Sequence, residues 1–321
     1  MILDYIDLHC DTALELYRKE QKLSTNNLAI SLDAASAYAH YAQFFAIWGS
    51  QKRNDEQIFE DFLAVSDHFT AQINENKAIE QVHNANELHA AWQNGKAAAL
   101  LAVEDARLLA GQLDRLDILA ARGVTYLTLT WGGESCIGGA HNTDKGLTEF
   151  GREVVKGCFA RGIIPDISHA SACGADEILT LAEQAGRPVI ATHSNAYGVY
   201  GHSRNLRDEH FKRLIALGGI VGLNLCAYHV KDCENQGYAR PEDMLPHIEH
   251  FLSLGGENHI AIGGDLDGAS LPEGIRTVDH VACLGDLMAN HGYSDELIRK
   301  IFSGNALRFI EHHVDVKNAR Q

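Results

Sequence analysis

Short apolar runs rich in β-forming residues recur along the chain, separated by longer stretches with helical periodicity. Eight stand out: residues 5–9 (YIDLH), 42–48 (AQFFAIW), 97–104 (AAALLAVE), 124–130 (VTYLTLT), 163–169 (IIPDISH), 188–193 (PVIATH), 219–225 (GIVGLNL) and 259–265 (HIAIGGD). Between them lie amphipathic segments such as DEQIFEDFLAVSDHFTAQI, GREVVKGCFARG, ADEILTLAEQAG and RDEHFKRLIALGG, several closed by a Gly where a helix C-cap would place one. Such alternation predicts parallel strands joined by crossover helices. The runs are almost continuously apolar, as strands covered on both faces are. Their number favours an α/β fold closed into a (β/α)8 TIM barrel over an open, doubly wound sheet. No Pro/Gly/Ser-rich linker or internal repeat interrupts the pattern, so residues 1–321 are read as a single domain, with SDELIRKIFSGNALRFIEHH as its last helical layer.

The polar residues that close these runs carry the chemistry. The first run ends in His9 and Asp11, the third in Glu104, the fifth in His169, the sixth in His193, and the eighth in Asp265 with Asp267 two residues on. Residues two apart on an extended strand share a face, so His9 and Asp11 aim an imidazole and a carboxylate at one point. In a (β/α)8 barrel the C-terminal strand ends gather around one pocket, so side chains remote in sequence converge there. Three imidazoles and several carboxylates, without thiolates at matching positions, suit zinc or a similar divalent ion. Six such side chains exceed what one tetrahedral ion needs, which points to two metals sharing a bridging carboxylate and a bridging water. Two cations beside one water bring its pKa towards neutrality and polarise a carbonyl, so hydrolysis of an amide or ester is the expected reaction class.

Composition narrows the surroundings. A formal charge of -16 leaves no basic excess to neutralise phosphates, which argues against a nucleic-acid partner. No segment reaches the roughly 18 uninterrupted apolar residues of a membrane span. The opening MILDYIDLHCD lacks the pattern of a signal peptide, and the closing HHVDVKNARQ carries no anchor signal, so a soluble cytoplasmic protein is expected. Seven scattered cysteines without a CxxC pair disfavour both a disulfide framework and a Cys-rich structural zinc site. Cys10, between the two first candidate ligands, is read as a small buried residue facing away from them.

The motifs DLHCDT, AVEDA, YLTLTW, GLTEFG, DISHAS, ATHSNAY, HSRNL, GGDLDG and GNALRF follow in an order that resembles the renal (membrane) dipeptidase family of zinc metallopeptidases, peptidase family M19, within the wider amidohydrolase-like barrels. The similarity runs over nearly the whole length and looks like that of a bacterial-type cytoplasmic member. It implies hydrolysis of dipeptides at a two-Zn2+ centre by a metal-bridged hydroxide, with His9 and Asp11 on the first ion, Glu104 bridging, and His169 and His193 on the second. It also implies that Arg204 of HSRNL binds the substrate's terminal carboxylate, and that Asp265 of GGDLDG passes the proton from the bridging water to the leaving amine. The expected partner is a small dipeptide; a D-residue at its second position and a homodimeric assembly are left open.

One position departs from the family. Where the vertebrate enzymes end the fourth strand in a His that helps hold the scissile carbonyl oxygen, this chain has Trp131, whose indole can only donate one hydrogen bond. His141, in the following loop GGESCIGGAHNTDKG, is the candidate replacement, so Trp131 and His141 are both assigned to substrate binding. Two rival readings stand beside the dipeptidase. One is a related barrel amidohydrolase acting on N-acyl amino acids or another small amide with a free carboxylate, and the other is a non-catalytic barrel.

Overall fold

A computed structural model of the chain describes residues 2–315; the part of the C-terminal tail beyond Asp315 lies outside the described residues. Among the described residues nine parallel strands form one sheet: β1 (Tyr5–Cys10), β2 (Tyr41–Trp48), β3 (Ile79–Gln81), β4 (Ala97–Glu104), β5 (Val124–Thr128), β6 (Ile164–Asp166), β7 (Ile190–Ala191), β8 (Ile220–Leu223) and β9 (Ile260–Ile262). Pairing of β1 with both β2 and β9, and of β2 with β4, closes eight of them into a barrel. Each of the eight anticipated runs supplies one barrel strand. The unforeseen β3 pairs with residues 97–99 of β4, just before β5 joins that strand at Leu101. Its three residues are too few to show a period, and only Ile79 is buried.

Side chains alternate between two cores. Ile6, Leu8, Phe44, Leu100, Tyr126, Ile164, Ile190 and Ile220 fill the barrel interior. Phe45, Leu101, Val103 and Leu127 face outward, into the larger core beneath the helices, where Cys10 also lies. Along β4 the inward positions are Ala98, Leu100 and Ala102, so the same alternation turns Glu104 inward at the barrel's C-terminal mouth. The helices dock by amphipathic faces. Helix Asp55–Asn74 is started by a capping box between Asn54 and Gln57 and buries Ile58, Phe62, Val65, Phe69 and Ile73, three or four residues apart. Phe69 meets Phe45 at 4.9 Å between ring centroids. Truncating a buried ring such as Phe62 to Ala would cost about 3–5 kcal/mol, so this face anchors the helix.

Several strands stop sooner than their apolar runs do. β6 ends at Asp166 and β9 at Ile262, and the chain then turns through left-handed backbone at His169 (φ 66°) and Asp265 (φ 55°). The two candidate site residues therefore leave the ladder and bend over the mouth. A Cβ at Gly222 or Gly263 would collide with the Thr192 carbonyl, so two glycines make room for the chain leading to His193. Among the described residues no helix is long and apolar enough to cross a membrane.

Candidate metal centre

His9 reaches the mouth by way of a β-bulge. β1 and β2 pair in step from Tyr5–Tyr41 to Asp7–Gln43, but Cys10 then pairs with Phe45, so β1 carries one extra residue. Tyr5 packs outward on Tyr38 and Phe302, and its hydroxyl donates to Asp7 Oδ2 at 2.6 Å. Unbroken alternation would send His9 to that outer side. The Asp7 carboxylate instead holds the bulge, its Oδ1 accepting the N–H of His9 at 3.0 Å and that of Gly264 at 2.9 Å. The His9 ring thereby turns inward, 3.9 Å from that of His193 between centroids.

The structure brings His9, Asp11, Glu104, His169, His193 and Asp265 together in two adjoining groups. Glu104 Oε1 lies 2.9 Å from His169 Nε2 and 3.3 Å from His193 Nε2. Its other oxygen, Oε2, is 3.7 Å from His9 Nε2, which is in turn 3.6 Å from Asp11 Oδ2 and 4.0 Å from Asp265 Oδ1. Each imidazole is held from behind by its Nδ1. His9 meets the Tyr126 hydroxyl at 2.9 Å, His169 donates to the Trp131 carbonyl at 3.0 Å, and His193 meets Thr192 Oγ1 at 2.8 Å. The Thr192 hydroxyl donates to Asp166 Oδ2 at 2.7 Å, so it accepts from His193. In both His169 and His193 the proton is therefore on Nδ1 and a lone pair is on Nε2.

This arrangement needs a cation. The Nε2 lone pairs of His169 and His193 face one another 2.9 Å apart with a carboxylate oxygen beside them, so acceptors converge and no donor lies between. His9 Nε2 is buried without a hydrogen-bond partner among the described residues. Burial pushes Glu104 up to about 7 and Asp11 up to about 6. Burial alone would lower His9, yet Glu104, Asp11 and Asp265 hold it up at about 10, which shows how strongly this point attracts positive charge. Imidazole nitrogens and carboxylate oxygens converging in a buried site, with orienting partners behind them, fit a divalent metal.

The sequence reading missed the supporting partners. Asp166 is fully buried and accepts from the hydroxyls of Thr128 and Thr192 and from the N–H groups of Ser168 and Thr192. It lies inside the DISHAS motif, one residue after a proline in an apolar run, where the motif alone gave it no task. Asp267 is tied on both oxygens, to Thr12 Oγ1 at 2.6 Å and Ala29 N–H at 2.7 Å, and so shapes the loop.

The remaining anticipated residues line two cavities that share His169 as a wall. One, of about 370 Å³, is bordered by Asp11, Trp48, Glu104, Trp131, His229 and Asp265. Trp131 packs at a tilt on Trp48 at 5.0 Å and stacks on His169 at 5.7 Å between centroids, giving this cavity an aromatic side. The other, of about 160 Å³, is bordered by His141, Ser203 and Arg204. His141 places Nδ1 2.9 Å from Ser203 Oγ, and burial together with Arg204 pushes it down to about 3, so it is neutral. Arg204 is 4% exposed, gives Nη2 to the His193 carbonyl at 3.4 Å, and leaves Nε and Nη1 buried with no partner among the described residues.

A parallel (β/α)8 barrel with buried histidines and carboxylates at its C-terminal mouth defines a metal-dependent hydrolase. The chain belongs to the membrane dipeptidase family, peptidase family M19, whose sequence model matches residues 3–321. It is a metal-dependent dipeptidase. Among solved structures it is similar to a metallopeptidase from Rhodobacter sphaeroides liganded with a phosphinate mimic of the dipeptide L-Ala-D-Ala (25% identity, TM-score 0.89, 98% of this chain and 100% of that one). It is equally similar to the metallopeptidase dipeptidase AC (26% identity, TM-score 0.90, 98% and 100% covered). The probable dipeptidase PvdM from Pseudomonas aeruginosa shares the fold (16% identity, TM-score 0.87, 99% and 96% covered).

Proposed function

We propose that the chain, acting as one catalytic domain, hydrolyses dipeptides at a pair of zinc ions held by His9 and Asp11 on one side, His169 and His193 on the other, and Glu104 between them. The observation that carries this reading is the placement of Glu104, whose Oε1 faces His169 and His193 while its Oε2 faces His9. When bound, two such ions acidify a shared water and polarise a substrate carbonyl. The protein's own groups supply the rest. Tyr126, the Trp131 carbonyl and the Thr192–Asp166 pair fix the three imidazoles so that each offers Nε2. Arg204 offers its unpartnered Nε and Nη1 to the substrate's terminal carboxylate, a charge-assisted contact in a water-poor place. Asp265 is held through Oδ2 by Asn224 Nδ2 at 3.3 Å, leaving Oδ1 on the His9 side to take a proton and return it to the leaving amine.

The phosphinate held by the Rhodobacter relative mimics a dipeptide with a D-residue at the second position, and acceptance of that stereochemistry extends the proposal. Elemental analysis of zinc-replete protein and a dipeptide panel covering L and D residues at both positions form the test. Two zinc ions per chain with dipeptide turnover are expected. At most one metal per chain would overturn the pair.

A further inference from the structure

His229 lines the same cavity as Glu104 and Asp265 and has no part in the metal shell. It sits in the short helix Ala227–Val230 that follows β8, and its backbone is pinned on both sides. Its N–H donates to Cys226 O at 2.8 Å, and its carbonyl accepts from Asn205 Nδ2 at 2.9 Å. The orientation of Asn224 fixes which ring nitrogen carries the proton. Asn224 Oδ1 accepts the Cys226 N–H at 2.6 Å, which turns its NH2 towards the His193 carbonyl (3.2 Å), Asp265 Oδ2 (3.3 Å) and His229 Nδ1 (3.4 Å). A flipped amide would set its oxygen against two oxygen acceptors and its nitrogen against an N–H donor. His229 Nδ1 therefore accepts, and the proton resides on Nε2, which has no partner among the described residues. Burial first, then Arg204 and His202, push the imidazole down to about 2, so it stays neutral.

We propose that the Nε2–H of His229 is a preset hydrogen-bond donor to the scissile carbonyl oxygen of the dipeptide, strengthening as that oxygen gains negative charge. The inference rests on the dipeptidase reading above. A neutral N–H held in place at the cavity wall favours the charged transition state over the ground state, because no dipole has to reorganise as charge develops. One amide, Asn224, positions both this donor and Asp265, so the groups assigned to the oxygen and to the proton are set by a single side chain. His141 lies instead in the cavity beside Arg204, and the Trp131 ring packs against Trp48 and His169.

The test compares zinc-loaded wild type with His229→Ala, His229→Asn and His229→Gln for kcat, KM, metal content and affinity for a phosphinate dipeptide analogue. Asn can reproduce the Nδ1 contact to Asn224 but not the cavity donor, whereas Gln carries an N–H to about the place of Nε2. Loss of about 10²-fold or more in kcat is expected for Ala and Asn, with KM within threefold, metals retained and phosphinate affinity falling in parallel. Gln should recover at least tenfold over Asn. A His229→Ala enzyme within threefold of wild-type kcat, rescue by Asn equal to that by Gln, or loss of metals in all three variants would overturn the proposal. A zinc-loaded wild type inactive on every dipeptide overturns the underlying reading as well, whereas an active wild type with an unimpaired Ala variant overturns this inference alone.

Discussion

Arg204 offers the sharpest quantitative test of how substrate is held. Among the described residues its buried guanidinium makes one long hydrogen bond, to the His193 carbonyl at 3.4 Å, and leaves Nε and Nη1 without acceptors. A substrate carboxylate would satisfy those donors with charge-assisted bonds worth about 1.5–3 kcal/mol each. Arg204→Lys keeps a charge but loses the planar fork, so about one such bond disappears. At about 1.4 kcal/mol per factor of ten, kcat/KM on a free dipeptide should fall about 10- to 150-fold. The same dipeptide as its C-terminal amide is the matching perturbation on the substrate side. Wild type should cleave the amide less well by a similar factor, and the two losses should not add, because each removes the same contact. Arg204→Met supplies an independent readout on stability. Arg204→Met removes the desolvation cost of a buried cation whose Nε and Nη1 have no partner among the described residues, so the melting temperature of the zinc-loaded variant should hold or rise while activity collapses. Equal cleavage of amide and free dipeptide by wild type would refute the assignment. A large drop in melting temperature for Arg204→Met would make the residue structural.

Glu104→Gln should empty both metal sites together, read as fewer than one metal per chain by elemental analysis, whereas loss of a single ion would end its bridging role. Asp265→Asn should lower kcat by about 10²–10⁴-fold with metal content intact, and near-normal turnover would remove it as proton carrier. Tyr126→Phe and Thr192→Val should weaken metal affinity about 10- to 100-fold in a chelator competition without unfolding the barrel; unchanged affinity would show that the Nδ1 partners do not tune the ligands. His247 accepts the Ala196 N–H on Nδ1 and donates Nε2 to the Val230 carbonyl, and burial holds it below its ordinary range. Below about pH 6.5 the unfolded chain takes up a proton that the folded chain refuses, so stability should fall with pH there and fall less steeply in His247→Gln. Identical slopes in acid denaturation curves would exclude that contribution.

How much of this was legible in the sequence depended on whether a side chain or the backbone carried the information. The barrel was readable because its strands are apolar on both faces, and Glu104 because it closes the long, regular run of β4. His169 and Asp265 were read as strand ends, yet both lie three residues beyond the ladder in left-handed backbone, a conformation that an apolar pattern cannot announce. The orienting layer stayed hidden for a related reason. Tyr126 looks like any aromatic residue of an inner strand face, and the group that holds His169 is a backbone carbonyl of Trp131, which no residue type encodes. His229 was passed over because it follows its strand by a helical turn instead of ending it.

The opening strand shows how a correct outcome can rest on an incomplete premise. His9 and Asp11 do meet, as residues two apart on one face should, but regular alternation from Tyr5 onward would have put His9 beneath the helices beside Asp7. The extra residue in β1 reverses the parity, and Asp7 stabilises it through the His9 and Gly264 N–H groups and the Tyr5 hydroxyl. Those bonds do not fully offset the cost of enclosing a carboxylate, since burial still pushes Asp7 up to about 6. A buried acid and a break in the ladder are local departures from what stability alone favours, and such departures gather next to active sites. In YIDLHCDT the aspartate outside the pocket is therefore as much a part of the proposed metal centre as the two residues inside it. It determines which side of the strand His9 occupies, and Glu104 Oε2 meets an imidazole only on that side.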